Sequence, residues 1–253
     1  MFDFLTPDVR ETLIDGLILT VGLTILTSLT SFALGYWAAL GRSGENRLRR
    51  LSAGGIVEIF RNVPALILLI FFAFAVPNLF PFDLRRTIFF NNPIVNTLGD
   101  VIDVPIPYYA IATVLALTLN TGAHLAEIMR SGFVAVPVNR LDAARSLGAS
   151  DHEALRAVVA PIGIRLAWPG ISNRLVHNLK NTALASFVSL PEFFQLVQGT
   201  ITRTFRATDL LVFAAIVYLI LSTVLTLVLT LIERRLGNVG GINPDDASEV
   251  FHV

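Results

Sequence analysis

Apolar positions gather along this chain in runs too long and too uninterrupted for the amphipathic elements of a soluble core. Residues 16–40 (GLILTVGLTILTSLTSFALGYWAAL) carry no charge. Residues 63–80 (VPALILLIFFAFAVPNLF) are also uncharged, and mostly apolar text reaches back to Gly54, interrupted by Glu58 and Arg61. Residues 108–126 (YYAIATVLALTLNTGAHLA) gain charge only if His124 is protonated, and 210–232 (LLVFAAIVYLILSTVLTLVLTLI) is the clearest run of all. A hydrocarbon layer of about 30 Å takes roughly 20 apolar residues to cross as a helix, so each run is long enough or nearly so. A shorter run, 182–199 (TALASFVSLPEFFQLVQG), contains Pro191 and Glu192. It fits a fifth span or a re-entrant, buried segment, and is counted here as a span. The pattern predicts an all-α membrane protein with about five transmembrane helices.

Composition agrees with the pattern. Of 253 residues 54% are hydrophobic and 15% charged, well below the roughly 25% charge of soluble domains. Lys+Arg and Asp+Glu both number 19, so no basic excess points to nucleic acid. The absence of cysteine removes disulfides, thiolate metal sites and cysteine nucleophiles.

The cations set an expected orientation. Arg42, Arg47, Arg49 and Arg50 follow the first run. Arg130, Arg140, Arg145, Arg156, Arg165, Arg174 and Lys180 lie between the third run and Thr182, and Arg234-Arg235 closes the last run. Only Arg10, Arg85, Arg86, Arg203 and Arg206 fall on the alternate side. Basic loops stay cytoplasmic, which places the N-terminus outside and the C-terminus inside, as an odd number of spans requires. The acidic start, MFDFLTPDVRETLID, lacks the basic region of a cleaved signal, so 16–40 is expected to be a retained span. Residues 1–236 then form one transmembrane domain. Residues 237–253, with Gly240-Gly241, Pro244 and Asp245-Asp246, form a cytoplasmic tail expected to be flexible. The loop 78–107, with four prolines and four asparagines, reads as irregular cover over a mouth. Small and hydroxyl residues at every fourth position (Gly16, Thr20, Thr24, Ser28, and again Ser222, Thr226, Thr230) are expected to let helices approach closely.

One polar piece interrupts this apolar text: 139–161, NRLDAARSLGASDHEALRAVVAP. Asn139 can cap a first short helix, which Gly148 stops in a left-handed turn. Ser150 and Glu153 form an S-x-x-E capping box for a second helix, which Pro161 ends or kinks. Leu141, Ala144 and Leu147 share one face of the first helix. The residues alone fit two readings: a hairpin packed on its own chain, or a helix docking in a shallow groove of a partner.

The order Asp142-Ala143-Ala144, three residues, Gly148, nine residues, Val158, then Ala160-Pro161 resembles the EAA loop of permease subunits of ATP-binding-cassette importers, E-A-A-x3-G-x9-I-x-L-P. Asp replaces Glu, Val replaces Ile and Ala replaces Leu. The segments IFRNVPALILLIFF (59–72), ALTLNTGAHLAEIMRSGF (116–133) and NLKNTALASFVSLPEF (178–193) are similar to the polar amino-acid uptake branch, and the resemblance covers about 13–236. It implies the type I importer permease fold and a chain without chemistry of its own. Two permease subunits, identical or homologous, would sit on two ATPase subunits that bind ATP and Mg, with a soluble extracytoplasmic protein delivering substrate across a bacterial inner membrane. Asp142, Ala143, Ala144, Leu147, Gly148 and Pro161 would carry the coupling to the ATPase. The only lysine, Lys180, lies between Leu179 and Asn181. A phosphate-cradling Gly-Lys-Ser/Thr loop is thus impossible here, and any such loop must belong to another chain.

A substrate path is sketched by polar residues at broken or buried helix positions. Arg61-Asn62 precedes Pro64, while Asn120, His124 and Glu127 share a face of the third span. Glu127 and Arg61 could meet the two charges of a zwitterionic amino acid, or could pair structurally with Arg130 and Glu58. Lys180, Asn181 and Thr182 open the expected post-loop span, where Lys180 could face substrate or snorkel to the interface. His124 and Glu127 have metal-ligand spacing but no third ligand, so no metal is expected. The rival classes are weaker. An ion-coupled secondary transporter would rely on intramembrane carboxylates, of which only Glu127 and Glu192 are candidates. A membrane enzyme would need a nucleophile–base pair, and none is evident among the scattered histidines (His124, His152, His177, His252).

Overall fold

The computed structural model describes residues 6–44, 47–102 and 106–236; the predicted tail lies outside them. Among them four helices are long and apolar enough to cross a membrane, or five where one bent pair is counted as a single span. The first, α1 (Pro7–Ser43), has 37 residues. At 1.5 Å per residue it is about 55 Å long and overshoots the hydrocarbon layer. Next, α2 (Arg47–Asn62) and the stretch 65–78 meet at a 101° bend. That stretch consists of α3 (Ala65–Ile70), a π turn (Phe71–Ala75) and α4 (Val76–Asn78). Pro64 causes the break, because it lacks an N–H and disfavours helical backbone before it.

The loop read as irregular cover is helical in its described part: α5 (Phe82–Arg85), a π turn (Arg86–Phe90) and α6 (Pro93–Ile102). Asparagine carries the connection, since Asn92 Oδ1 accepts the Ile94 and Val95 N–H groups as α6 begins. Then α7 (Tyr108–Val134) forms the central span, with α1 packed along it. Gly35 and Gly122 permit that approach: a Cβ at Gly35 would sit 2.8 Å from Leu125 Cβ, and one at Gly122 2.9 Å from Leu34.

The fourth crossing differs from the one expected. It runs through Asp151–Val188, comprising α9 (Asp151–Ala154), a π turn (Leu155–Val159), α10 (Ala160–Asn181) and a 3-10 end (Thr182–Val188). The predicted span 182–199 is cut at Ser189, whose φ of 57° turns the chain, and resumes as the short helix α11 (Phe193–Thr204). Pro161 does not end its helix. The Ala160 N–H reaches back five residues to the Leu155 carbonyl, a wider turn that accommodates the proline. Arg165, Arg174 and Lys180 therefore belong to a span and not to a polar loop, which removes three cations from the orientation count. The last helix, α12 (Ala207–Leu236), is largely exposed along its length.

Two ends can be distinguished. Leu13 of α1, Phe193 and Val197 of α11, and Leu210 and Ala214 of α12 share one cluster. At the other end Leu40, Phe133, Val159 and Leu229 cluster together, with Leu236 packed against them. The C-terminal ends of α1, α7 and α12 thus lie together, beside the polar insert.

Polar side chains tie the bundle together at mid-depth. Asn178 of α10 donates to Thr27 Oγ1 (2.8 Å) and Ser28 Oγ (3.2 Å) of α1, and accepts from Thr121 of α7 (3.0 Å). The expected stripe on α1 is therefore an interface: Gly16, Thr20 and Thr24 are buried. The second stripe is buried only at Ser222. Thr226 and Thr230 bond carbonyls of their own helix.

Candidate functional site

The polar insert folds as two short helices around a glycine turn. The first, α8 (Val138–Ser146), starts one residue before the predicted cap. Pro137 holds the cap position without a side-chain bond, and Asn139 does not cap. Its end follows the expectation. Gly148 has φ +88°, its N–H bonds the Arg145 carbonyl at 2.9 Å, and Ala149 N–H bonds that of Ala144 at 3.1 Å. These two bonds define a Schellman stop. Ser150 and Glu153 form the predicted capping box, and Arg145 clamps the turn by donating to Asp151 at 2.5 Å. The predicted apolar face is divided. Ala144 is buried and Leu141 packs on the chain's own cluster, whereas Leu147 is 90% exposed. Asp142, Ala143 and Gly148 are exposed beside it. The insert is therefore both a packed hairpin and an open apolar knob.

The predicted path residues come together around the break between α2 and α3. Pro64 leaves the Phe60 carbonyl without its helical donor, and the bend leaves that of Val63 unpaired. Asn120 supplies both, with Nδ2 at 3.1 and 3.2 Å. Its Oδ1 accepts from Arg174 at 2.6 Å, and its own carbonyl meets His124 Nδ1 at 2.8 Å. Glu127 stands at the junction of three arginines. Arg42 lies 2.5 Å away, Arg130 2.6 Å, and Arg61 3.7 Å. Glu58 holds Arg61 at 3.0 Å and accepts from Asn62 at 2.9 Å. The structural pairing of Glu127 with Arg130 and of Arg61 with Glu58 is thus present, and Arg42 is added to it. Lys180, Asn181 and Thr182 lie at the end of a span and do not open one. Lys180 is exposed, while Thr182 is buried with its hydroxyl on the Leu179 carbonyl.

Sequence reading missed Arg174, Asn178 and Arg42. The i, i+4 spacing of Arg174 and Asn178 marks one face of α10, but only if 160–181 is first taken as a span. Glu192 is fully buried. It caps α11 by accepting from Gln195 N (2.8 Å) and Phe194 N (3.0 Å), and receives the hydroxyls of Thr20 and Tyr218, each at 3.2 Å. Both its oxygens are thus engaged, Oε2 by three donors and Oε1 by one, as burial in an apolar surround demands.

A multi-pass helical bundle with broken spans and a polar, glycine-turned insert defines the class: a membrane-embedded transport component. The family described as "Binding-protein-dependent transport system inner membrane component" matches residues 31–238, and the chain belongs to it. The nopaline transport system permease protein NocM of Agrobacterium fabrum strain C58 is 29% identical over 90% of this chain and 91% of its own. The histidine/lysine/arginine/ornithine transport system permease protein HisM of Escherichia coli K12 is 29% identical, covering 87% of each chain. The glutamine transport system permease protein GlnP of Escherichia coli K12 is 27% identical over 88% of this chain and 92% of its own. In structure, an amino acid ABC transporter solved with histidines superposes with a TM-score of 0.71 at 27% identity, covering 92% of this chain and 98% of that one. The MetNI methionine transporter in an inward-facing form shares the fold, with a TM-score of 0.66 at 17% identity. The fold is that of type I ABC importer permeases, and the chain is a multi-pass inner-membrane permease component.

Proposed function

We propose that this chain is the membrane subunit of an ATP-driven importer for a polar amino acid or an opine. It works by alternating access, with its N-terminus outside and its C-terminus in the cytoplasm. The observation that carries the coupling role is Leu147, a large apolar side chain 90% exposed, held on a stopped helix at the end where α1, α7 and α12 finish. An apolar knob on a rigid turn fits a groove in a separate ATPase subunit, which binds ATP and Mg. Asp142, Ala143 and Gly148 flank the knob, and Pro161 lies where the insert joins α10. A push on the insert can therefore travel along one continuous helical path into the bundle.

The substrate class is supported by the named relatives, which carry opines and polar amino acids, and by the side chains near the α2–α3 break. His124, Arg174 and exposed Lys180 offer donors and positive charge to a carboxylate. Glu58 and Glu127, already bound to arginines, could exchange partners with an ammonium group. A second permease subunit and an extracytoplasmic binding protein complete the assembly. The test is uptake of an amino-acid panel into vesicles holding the chain with its ATPase and binding protein. Uptake should require ATP and the ATPase subunit. Uptake driven by an ion gradient without the ATPase would overturn this reading in favour of a secondary transporter.

A further inference from the structure

Among the described residues nothing neutralises Arg174. Its side chain reaches from α10 to Asn120, midway along α7, where Nη2 donates to Oδ1 at 2.6 Å. Its Nε is buried without a hydrogen-bond partner, and no described carboxylate forms an ion pair with it. One turn further along α10, Asn178 bonds Thr27 near the middle of α1, so Arg174 lies at mid-depth in the bundle. An unpaired charge there is expensive, and a charge kept at that depth marks a substrate or ion path.

The surroundings carry the same sign. His124 lies in the field of Arg174, Arg61 and His177, and His177 in that of Arg174 and Lys180. Asn173, His177 and Lys180 are exposed on one face of α10, a polar row that hydrocarbon would not accept and that therefore borders water or a partner. The carboxylates of this region are already engaged. Glu127 is held by Arg42, Arg130 and Arg61, and Glu58 by Arg61 and Asn62. Glu192 is committed to capping α11. A second ammonium on the substrate would find no free acid here among the described residues. A carboxylate would find a guanidinium whose fork matches it.

We infer that Arg174 selects substrate by sign, holding a carboxylate, and that the transported molecule carries net negative charge, as an acidic amino acid does. This rests on the importer reading above and narrows its substrate class. A neutral amino acid can bring only its α-carboxylate to Arg174. The second carboxylate of an acidic one can also answer Lys180, which has no ion pair among the described residues.

The test uses the permease assembled with its ATPase and purified in detergent, without the binding protein, whose own selectivity would mask that of the path. Saturation-transfer NMR titrations with L-glutamate, L-glutamine and L-arginine compare the three affinities. Glutamate should bind the native chain tightest, about tenfold or more ahead of arginine, as one charged hydrogen-bonded contact implies. Its lead should disappear in Arg174→Gln and persist in Arg174→Lys, and Arg174→Glu should reverse the order in favour of arginine. A collapsed variant would lose all three ligands together, whereas selection by sign changes their order. Arginine or glutamine bound by the native chain as tightly as glutamate, an unchanged order in Arg174→Gln, or no binding of any of the three would overturn the assignment. ATP-dependent uptake of the binding protein's own ligand into vesicles, with the same subunits, tests the importer reading separately. Uptake without a glutamate preference sinks only the selection by charge, and a preference without ATP-dependent uptake sinks only the importer reading.

Discussion

At the scale of single residues, backbone satisfaction and backbone strain dominate. Gly148 sits at φ +88° with nothing within 4 Å of where a Cβ would point. A substitution there meets no steric wall, only the cost of a left-handed conformation, about 1–2 kcal/mol and more for a β-branched side chain. Gly148→Val should therefore lower uptake strongly while membrane insertion is unchanged, and Gly148→Asn, which tolerates this region, should keep most activity. Uptake by the valine variant at the level of the native chain would remove the rigid turn from the mechanism. Asn120 poses the opposite problem, since it satisfies two carbonyls that Pro64 and the bend leave open. Asn120→Leu should orphan both and cost about 1–3 kcal/mol for each buried group. The expected readout is a clearly lowered unfolding temperature in detergent. The Gly148 stop and the Ser150–Glu153 box were legible in the sequence because their partners lie within a few residues. The partners of Asn120 lie up to 60 residues away, and no local pattern names them.

At the scale of elements, the apolar runs located α1, α7, α12 and the second limb of the bent pair, and misread one. Residues 160–181 carry Arg165, Arg174, His177, Asn178 and Lys180, so they do not look like a span by hydropathy. Much of this helix is packed against α7 and α1, not lipid, and Asn178 and Arg174 are met there by Thr27, Ser28, Thr121 and Asn120. A span surrounded by protein can be polar wherever its partners are polar, and that information is not local. The run 182–199 deceived for a complementary reason, since its apolar count is high while Ser189 and Pro191 divide it. Glu192 then starts α11 as a buried cap. Replacing it with alanine should cost roughly 0.5–2 kcal/mol from the cap alone, and should strand the Thr20 and Tyr218 hydroxyls as well. Backbone amides of 193–204 should exchange hydrogen faster in Glu192→Ala. Glu192→Gln, which keeps one acceptor oxygen, should show an intermediate rate. Unchanged exchange in the alanine variant would mean that packing of Phe193 against Gly16 suffices to hold the helix.

At the scale of the whole molecule, the open matter is which end faces the cytoplasm. With Arg165, Arg174 and Lys180 withdrawn from the loops, the bias still favours one end. Arg42, Arg49, Arg130, Arg145 and Arg156 surround a common cavity there, and Arg234 and Arg235 close α12 beside it. Arg10, Arg85, Arg86, Arg203 and Arg206 remain as the opposing set. The span 151–188 is the one candidate crossing between Leu147 and Phe205 and puts them on opposite sides. The chain contains no cysteine, so single cysteines can be introduced into the native background. Leu147 and Phe205 are 90% and 89% exposed, which makes both reachable by a membrane-impermeant thiol reagent. In intact cells Phe205→Cys should react and Leu147→Cys should not, whereas in inverted vesicles the reactivities should exchange. Labelling of both from one side would mean that the stretch 151–188, the one span between them, does not cross. Exchange in the opposite sense would turn the molecule over and detach the insert from any cytoplasmic ATPase.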